Sequence, residues 1–199
     1  MKGGRVRIVG GKWRRRMLSF PGVNALRPTP DAVRETLFNW QAPSIAGRHC
    51  LDLYAGSGAL GFEAVSRGAA DAVLVEKNPR IVRALRQNQR AIDSDRQISV
   101  TACAAMQYLA TCGTHYDLIF LDPPFASEEL EKACYQIQKR GLIAPRGLVY
   151  LEHASDRELR YLPETWCELK SAQRGGVRYA LYANDRDISE QAEDPSLSP

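Results

Sequence analysis

The sequence is poor in the residues that build metal and redox centres. Its three histidines, His49, His115 and His153, are scattered singly, and its five cysteines include no C-x-x-C pair. An odd cysteine count without paired spacing argues against a disulfide framework and for buried thiols in a reducing compartment, the cytoplasm. The same scatter leaves no set of residues at metal-ligand spacing, so no metal is expected and the histidines read as structural. No apolar run approaches the roughly 20 residues of a membrane span. Nor does an apolar segment follow the basic N-terminus as in a secretory signal, so no membrane partner is expected. Acid is missing from residues 1–30, which hold Lys2, Arg5, Arg7, Lys12, Arg14, Arg15, Arg16 and Arg27 without one Asp or Glu. With Trp13 interleaved, that is the footprint of a protein that grips a polyanion; a solvated basic arm is the plainer alternative. Residues 185–199 are the reverse, with Asp185, Asp187, Glu190, Glu193 and Asp194 against Arg186. They read as a disordered acidic tail.

What is present is an ordinary globular chain of 199 residues, 44% hydrophobic and 25% charged, large enough for one three-layer domain. Val6–Val9 and Lys12–Leu18 flank Gly10-Gly11 and predict a small hairpin with the glycines at its turn. Leu26-Arg27-Pro28-Thr29-Pro30 is an extended connector. Thr29 is placed to cap a helix whose first residue is Pro30, with Val33, Leu37 and Trp40 on its buried face and its end before Pro43. From residue 48, strand and helix patterns alternate. Strands are predicted at 50–54, 72–76, 98–102, 116–121 and 147–151, with helices between them. Two further strand runs, 166–171 and 177–183, flank Gly175-Gly176 with no helix between them. A βαβ series that ends in a hairpin predicts a doubly wound α/β sheet with one reversed edge.

The series is organised around Cys50–Ala64. An apolar strand breaks at Gly56-x-Gly58-x-x-Gly61 and resumes as a helix, which makes a cradle where backbone N–H groups can approach a nucleotide. Glu76, at the end of the next strand, is placed to accept hydrogen bonds from ribose hydroxyls. The spacing alone fits a nicotinamide cofactor as well as a methyl donor. Asp52, an acid inside the strand, favours a ligand with a cationic end such as S-adenosylmethionine. The second motif, Asp122-Pro123-Pro124-Phe125, follows the fourth strand and so emerges beside the cradle at the carboxyl edge of the sheet. Two prolines stiffen the backbone and remove two N–H donors, which leaves acceptors to face a substrate. Acceptors hold an exocyclic amino group by its hydrogens and stabilise the charge that grows on nitrogen as it attacks a methyl group. Phe125 offers a face on which an extruded base can stack.

Residues 5–183 resemble the bacterial RsmD-type methyltransferases, which methylate the N2 amine of a guanine in 16S ribosomal RNA. The likeness rests on Arg7–Arg14, Leu26–Thr29, Val33–Phe38, Leu51–Gly61, Asp122–Phe125 and Tyr179–Tyr182. It implies a Rossmann-like class I methyltransferase fold with a terminal antiparallel hairpin and a basic N-terminal hairpin extension. The divisions are then 1–24 for the basic arm, 25–184 for the methyltransferase domain and 185–199 for the tail. It implies S-adenosylmethionine on Asp52, Tyr54, Ala55, Gly56, Ser57, Gly58, Glu76 and Lys77, and the target base on Asp122, Pro123, Pro124 and Phe125. RNA would lie on Arg7, Lys12, Trp13, Arg14, Arg15, Arg16 and Arg27. The partner would be 16S ribosomal RNA, free or in an assembling small subunit, and the protein a monomer. One position departs from the pattern. Where relatives usually place Asp or Asn for the adenine amine, this chain has Ala104, so main-chain groups of Ala104 and Ala105 are left for that contact. An adenine-N6 methyltransferase would share the second motif but would normally carry a separate target-recognition region, for which there is no room. An NAD-dependent oxidoreductase and a non-catalytic RNA-binding protein are the readings from other classes.

Overall fold

The computed structural model describes residues 3–23, 26, 28–93, 95–125 and 127–184; Arg27 and the acidic tail of the sequence reading lie outside them. The strands are β1 (Gly4–Arg7), β2 (Met17–Phe20), β3 (His49–Asp52), β4 (Asp71–Glu76), β5 (Ile98–Ala102), β6 (Tyr116–Leu121), β7 (Ile143–Ala154), β8 (Trp166–Arg174) and β9 (Val177–Asn184). The helices are α1 (Asp31–Gln41), α2 (Ala59–Ser66), α3 (Pro79–Ile92), α4 (Ala105–Thr111) and α5 (Glu129–Arg140). Seven strands form one sheet in the order β5-β4-β3-β6-β7-β9-β8. β3 to β7 run parallel, and β9 is antiparallel to both β7 and β8. This is the doubly wound sheet with a reversed edge that the alternation predicts. β3 and β6 are neighbours although far apart in sequence, so their carboxyl ends open on a topological switch point, where such sheets bind ligands.

The strands are apolar on both faces and separate two cores. One holds Leu37, Phe38, Phe62, Leu74, Phe120 and Tyr150; the other holds Leu51, Leu109, Ile119, Leu121, Ile137 and Leu151. Asn78 caps α3 by accepting from the Arg80 N–H at 2.9 Å, and left-handed Gly141 closes α5.

The N-terminal segment departs from its prediction. β1 and β2 pair antiparallel, but Gly10-Gly11 is not a tight turn by itself: it leads into a longer connection, where the Gly11 carbonyl accepts from the Arg14 N–H at 3.1 Å. The glycine pair docks on the carboxyl end of α2, where the Lys12 N–H donates to the Ser66 carbonyl at 2.7 Å. A Cβ on Gly11, whose φ is +76°, would stand 1.7 Å from that carbonyl oxygen. The reason is α2 itself, buried along every residue. A helix apolar all round needs cover on its outer face, and Ile8, Trp13 and Leu18 provide it. The hairpin is therefore part of the core rather than a free arm. Helix α1 differs too. Pro30 is its N-cap residue, no side chain caps it, and the Thr29 hydroxyl points elsewhere.

Candidate active site

Strand register brings the chemistry together. β6 lies between β3 and β7, with Asp52 opposite Phe120 and Leu121 opposite Leu151. The residues just past those pairs, Asp122 and Glu152, stand side by side at the carboxyl edge. Side chains alternate along a strand, and Cys50, Phe120 and Tyr150 all face the α1–α2 core. Two residues further along each strand, Asp52, Asp122 and Glu152 share that face.

The acids on the cradle side are held by main-chain N–H groups. Asp52, 3% exposed, accepts from the Gly61 N–H at 3.0 Å. Burial, less the help of that bond, and the nearby charges of Glu76 and Glu152 push its carboxyl up to about 7. Glu76 accepts from the Gly56 N–H at 3.1 Å and the Asn78 N–H at 2.7 Å, so one side chain ties the glycine loop to the start of α3. Gly58 starts α2 in the left-handed region, at φ 80°. Ser57 accepts from the Ala59 N–H at 3.3 Å, and Ala55 is fixed through its N–H to the Val75 carbonyl. Tyr54 and Lys77 flank the loop and reach α5, the first through the Glu129 carbonyl at 3.3 Å and the second through the Glu129 carboxylate at 3.6 Å. Ala104 and Ala105 start α4 after β5, and Ala102 at the end of β5 pairs with Glu76, so their main chain borders the same loop.

The other side is built differently. Among the described residues, Asp122 and Glu152 meet no cation. The Thr29 hydroxyl lies 3.1 Å from Glu152 Oε1 and 3.5 Å from Asp122 Oδ2, and the Tyr150 hydroxyl donates to Glu152 Oε1 at 2.9 Å. Burial pushes Glu152 up to about 7 even with both hydroxyls donating. Burial and the charges of Glu152 and Asp52 hold Asp122 well above the usual carboxylate range, the Thr29 contact opposing them. Pro123 is buried, Pro124 exposed, and Phe125 is 37% exposed. Arg157 pins the loop behind that ring by donating to the carbonyls of Phe125 at 2.9 Å and Ser127 at 2.6 Å while pairing with Glu131 at 2.6 Å.

Thr29, Glu152 and Arg157 were not legible as site residues. The predicted strand stops at Leu151, and the pairing of Glu152, His153 and Ala154 with Tyr179, Arg178 and Val177 carries β7 further. The one available signal was an acid directly after an apolar run, whereas Asp52 was singled out as an acid inside its strand. Arg34 was missed as well. Its side chain is fully buried and ties the N-terminal hairpin to the site. It donates to the Thr29 carbonyl at 3.1 Å, to Glu63 at 2.6 Å and to the Arg7 carbonyl at 2.7 Å.

The basic residues divide. Trp13 is 8% exposed, with its ring 6.2 Å from Phe62, so it anchors the hairpin and has no open face for a base. Arg7 pairs with Asp31 at 2.9 Å, and Lys12 with Asp95 at 3.2 Å. Arg14, Arg15 and Arg16 are exposed. A second basic feature appears only in three dimensions, an open groove lined by Lys77, Arg83, Arg86 and Arg90 beside the cradle. Among the described residues no cluster of three His, Cys, Asp or Glu could hold a metal ion, and no helix is long and apolar enough to cross a membrane.

A seven-stranded sheet of this order, with a glycine cradle after β3 and an Asp-Pro-Pro-Phe turn after β6, is the plan of a class I methyltransferase. Residues 6–183 match the family model described as conserved hypothetical protein 95. Over 182 residues the chain is 41% identical to ribosomal RNA small subunit methyltransferase D of Escherichia coli, covering 92% of this chain and 91% of that one. The protein of that name from Haemophilus influenzae is 39% identical over 184 residues, 91% of this chain and 95% of that one. The solved structure of yhhF from Escherichia coli superposes with a TM-score of 0.85 at 39% identity, over 92% of this chain and 99% of that one. The chain belongs to this family, that of the small-subunit methyltransferase D proteins.

Proposed function

We propose that the protein transfers a methyl group from S-adenosylmethionine to the exocyclic N2 amine of a guanine in 16S ribosomal RNA. The observation that carries the reading is Asp122 on its rigid Pro-Pro turn, beside a second acid and next to the glycine cradle. The cradle's chemistry fits the donor: Asp52 and Glu76 match an ammonium and ribose hydroxyls, and the main chain at Ala104 and Ala105 is left for the adenine edge. When bound, S-adenosylmethionine supplies a methyl group made electrophilic by a sulfonium. This chain's residues do the rest by position. Asp122 and the Pro123 carbonyl accept the amine hydrogens, which aims the nitrogen lone pair and stabilises its growing positive charge; the Pro124 carbonyl is taken by the N–H and hydroxyl of Ser127. Phe125 stacks on the base, with Arg157 fixing the loop that carries it. Once the methyl has moved, an acceptor must take the surplus proton, and the raised pKa values of Asp122 and Glu152 suit them to it. Arg14, Arg15 and Arg16, with the arginines of α3, support an RNA partner through phosphate contacts. The five cysteines, none of them in a disulfide, support a cytoplasmic setting.

The reading is tested by incubating small ribosomal subunits and naked 16S RNA from a strain lacking the gene with methyl-labelled donor, then separating the nucleosides. Label in N2-methylguanosine is expected. Label in N6-methyladenosine, or none in either RNA, would overturn it.

A further inference from the structure

We propose that Glu152 reads the Watson–Crick edge of the target base, accepting the N1–H of guanine while Asp122 holds the neighbouring N2 amine. The inference rests on the function proposed above. It starts from where the two acids stand. Leu121 pairs with Leu151, so Asp122 and Glu152 leave neighbouring strands at the same level, and side-chain alternation puts both on one face of the sheet. A single hydroxyl, that of Thr29, reaches both carboxylates, so the two lie close enough to grip adjacent atoms of one ring. Among the described residues, the hydrogen bonds on Glu152 fall on Oε1, from Thr29 and Tyr150. They fix the side chain without neutralising it.

A buried acid without a cation is costly unless a ligand brings donors to it. Guanine does so in the right order. Its Watson–Crick edge presents N1–H directly beside the N2 amine, a row of donors for a row of carboxylate acceptors. Adenine and cytosine set a bare ring nitrogen beside their amino groups. That lone pair facing Glu152 would be a buried acceptor against an acceptor, which rejects a base more strongly than a missing contact does. Asp122 thus grips an amino group as such, and Glu152 decides which base may offer it. Arg34 takes part at one remove. By holding the Thr29 carbonyl it sets the hydroxyl that orients Glu152, so Thr29 and Arg34 are positioning residues.

The test uses 2-aminopurine, which keeps the N2 amine but has a bare lone pair at N1. Small subunits are reconstituted with 16S RNA carrying either guanine or 2-aminopurine at the position mapped as methylated, and initial methylation rates are compared. The wild-type protein should prefer guanine by on the order of 30-fold, the scale for one charge-assisted hydrogen bond gained or lost. Glu152→Gln, whose amide can turn an N–H toward that lone pair, should bring the ratio close to one, with S-adenosylhomocysteine affinity unchanged. Equal wild-type rates on the two bases would overturn the proposal, and that result needs no variant to fold. A Glu152→Gln protein that binds S-adenosylhomocysteine and keeps the wild-type preference would also overturn it. If the wild-type protein labels no guanine in unmodified RNA, the proposed function falls and takes this inference with it.

Discussion

Glu63 and Glu152 are both sealed inside the fold, at 0% and 3% exposure, yet their surroundings are opposite. Glu63 is fully answered. It pairs with Arg34 at 2.6 Å and Arg67 at 2.9 Å and accepts from the N–H groups of Val9 and Gly10. Among the described residues Glu152 receives only hydroxyls, and it faces Asp122 and Asp52. The first arrangement neutralises a charge to join the N-terminal hairpin, α1 and α2. The second gathers acids that, among the described residues, have no counter-charge, and is worth its cost only if a ligand completes it. Burial alone therefore does not mark a functional acid; the missing partner does. Arg34 links the two regions, with one nitrogen on Glu63 and another on the backbone of Thr29.

The sharpest way to break the contrast is on the Glu63 side. Glu63→Ala takes from Arg34 its fully buried partner, leaving it the half-exposed Asp31 at 2.6 Å, and should cost about 3–5 kcal/mol of stability, read by urea unfolding. A loss below 1 kcal/mol would mean the network is not what holds the hairpin down. On the other side, Asp122→Ala should lower methyl transfer by on the order of 100- to 1,000-fold while thermal-shift binding of S-adenosylhomocysteine persists. Full activity would end its role as acceptor.

The two regions should also part with pH. Folding raises the Glu152 carboxyl from 4.5 to about 7, so the folded state holds a proton that the unfolded chain has released between those values. Stability from this acid is thus present at low pH and lost as pH rises through about 7. Glu152→Gln should therefore stabilise the free protein at pH 8 by roughly 1–3 kcal/mol and change it little at pH 5. A destabilised variant at pH 8 would show that the charge is answered after all. The smallest effect is expected outside both clusters. Replacing Arg14, Arg15 and Arg16 with Gln should leave unfolding and donor binding unchanged and reduce the salt slope of RNA binding by roughly 2–3. An unaltered slope would move the phosphate contacts to the α3 groove.

Much of this was legible in the chain. The strand-helix alternation with its reversed edge, the cradle and the Asp-Pro-Pro-Phe turn follow from local patterns, because glycine, proline and alternating apolar runs act on the backbone where they stand. The acid pair was half legible. Asp122 sits in a motif, whereas Glu152 gains its meaning from the register of β6 against β7, a long-range fact. Trp13 and Gly11 misled for the same reason. A basic, aromatic, glycine-bearing stretch reads locally as a hairpin turn that grips RNA, but α2 across the core claims the ring and the close approach. Thr29 has the right chemistry for a helix cap, yet it is drawn to two carboxylates that arrive from far along the chain.

The central claim is that the uncompensated acids lie where a donor methyl would meet an amine. A crystal structure with S-adenosylhomocysteine tests it most directly. The ribose should rest on Glu76, with the sulfur facing the gap between Asp122 and Glu152. A sulfur turned away from that gap, or a cradle that leaves the molecule unbound, would contradict it.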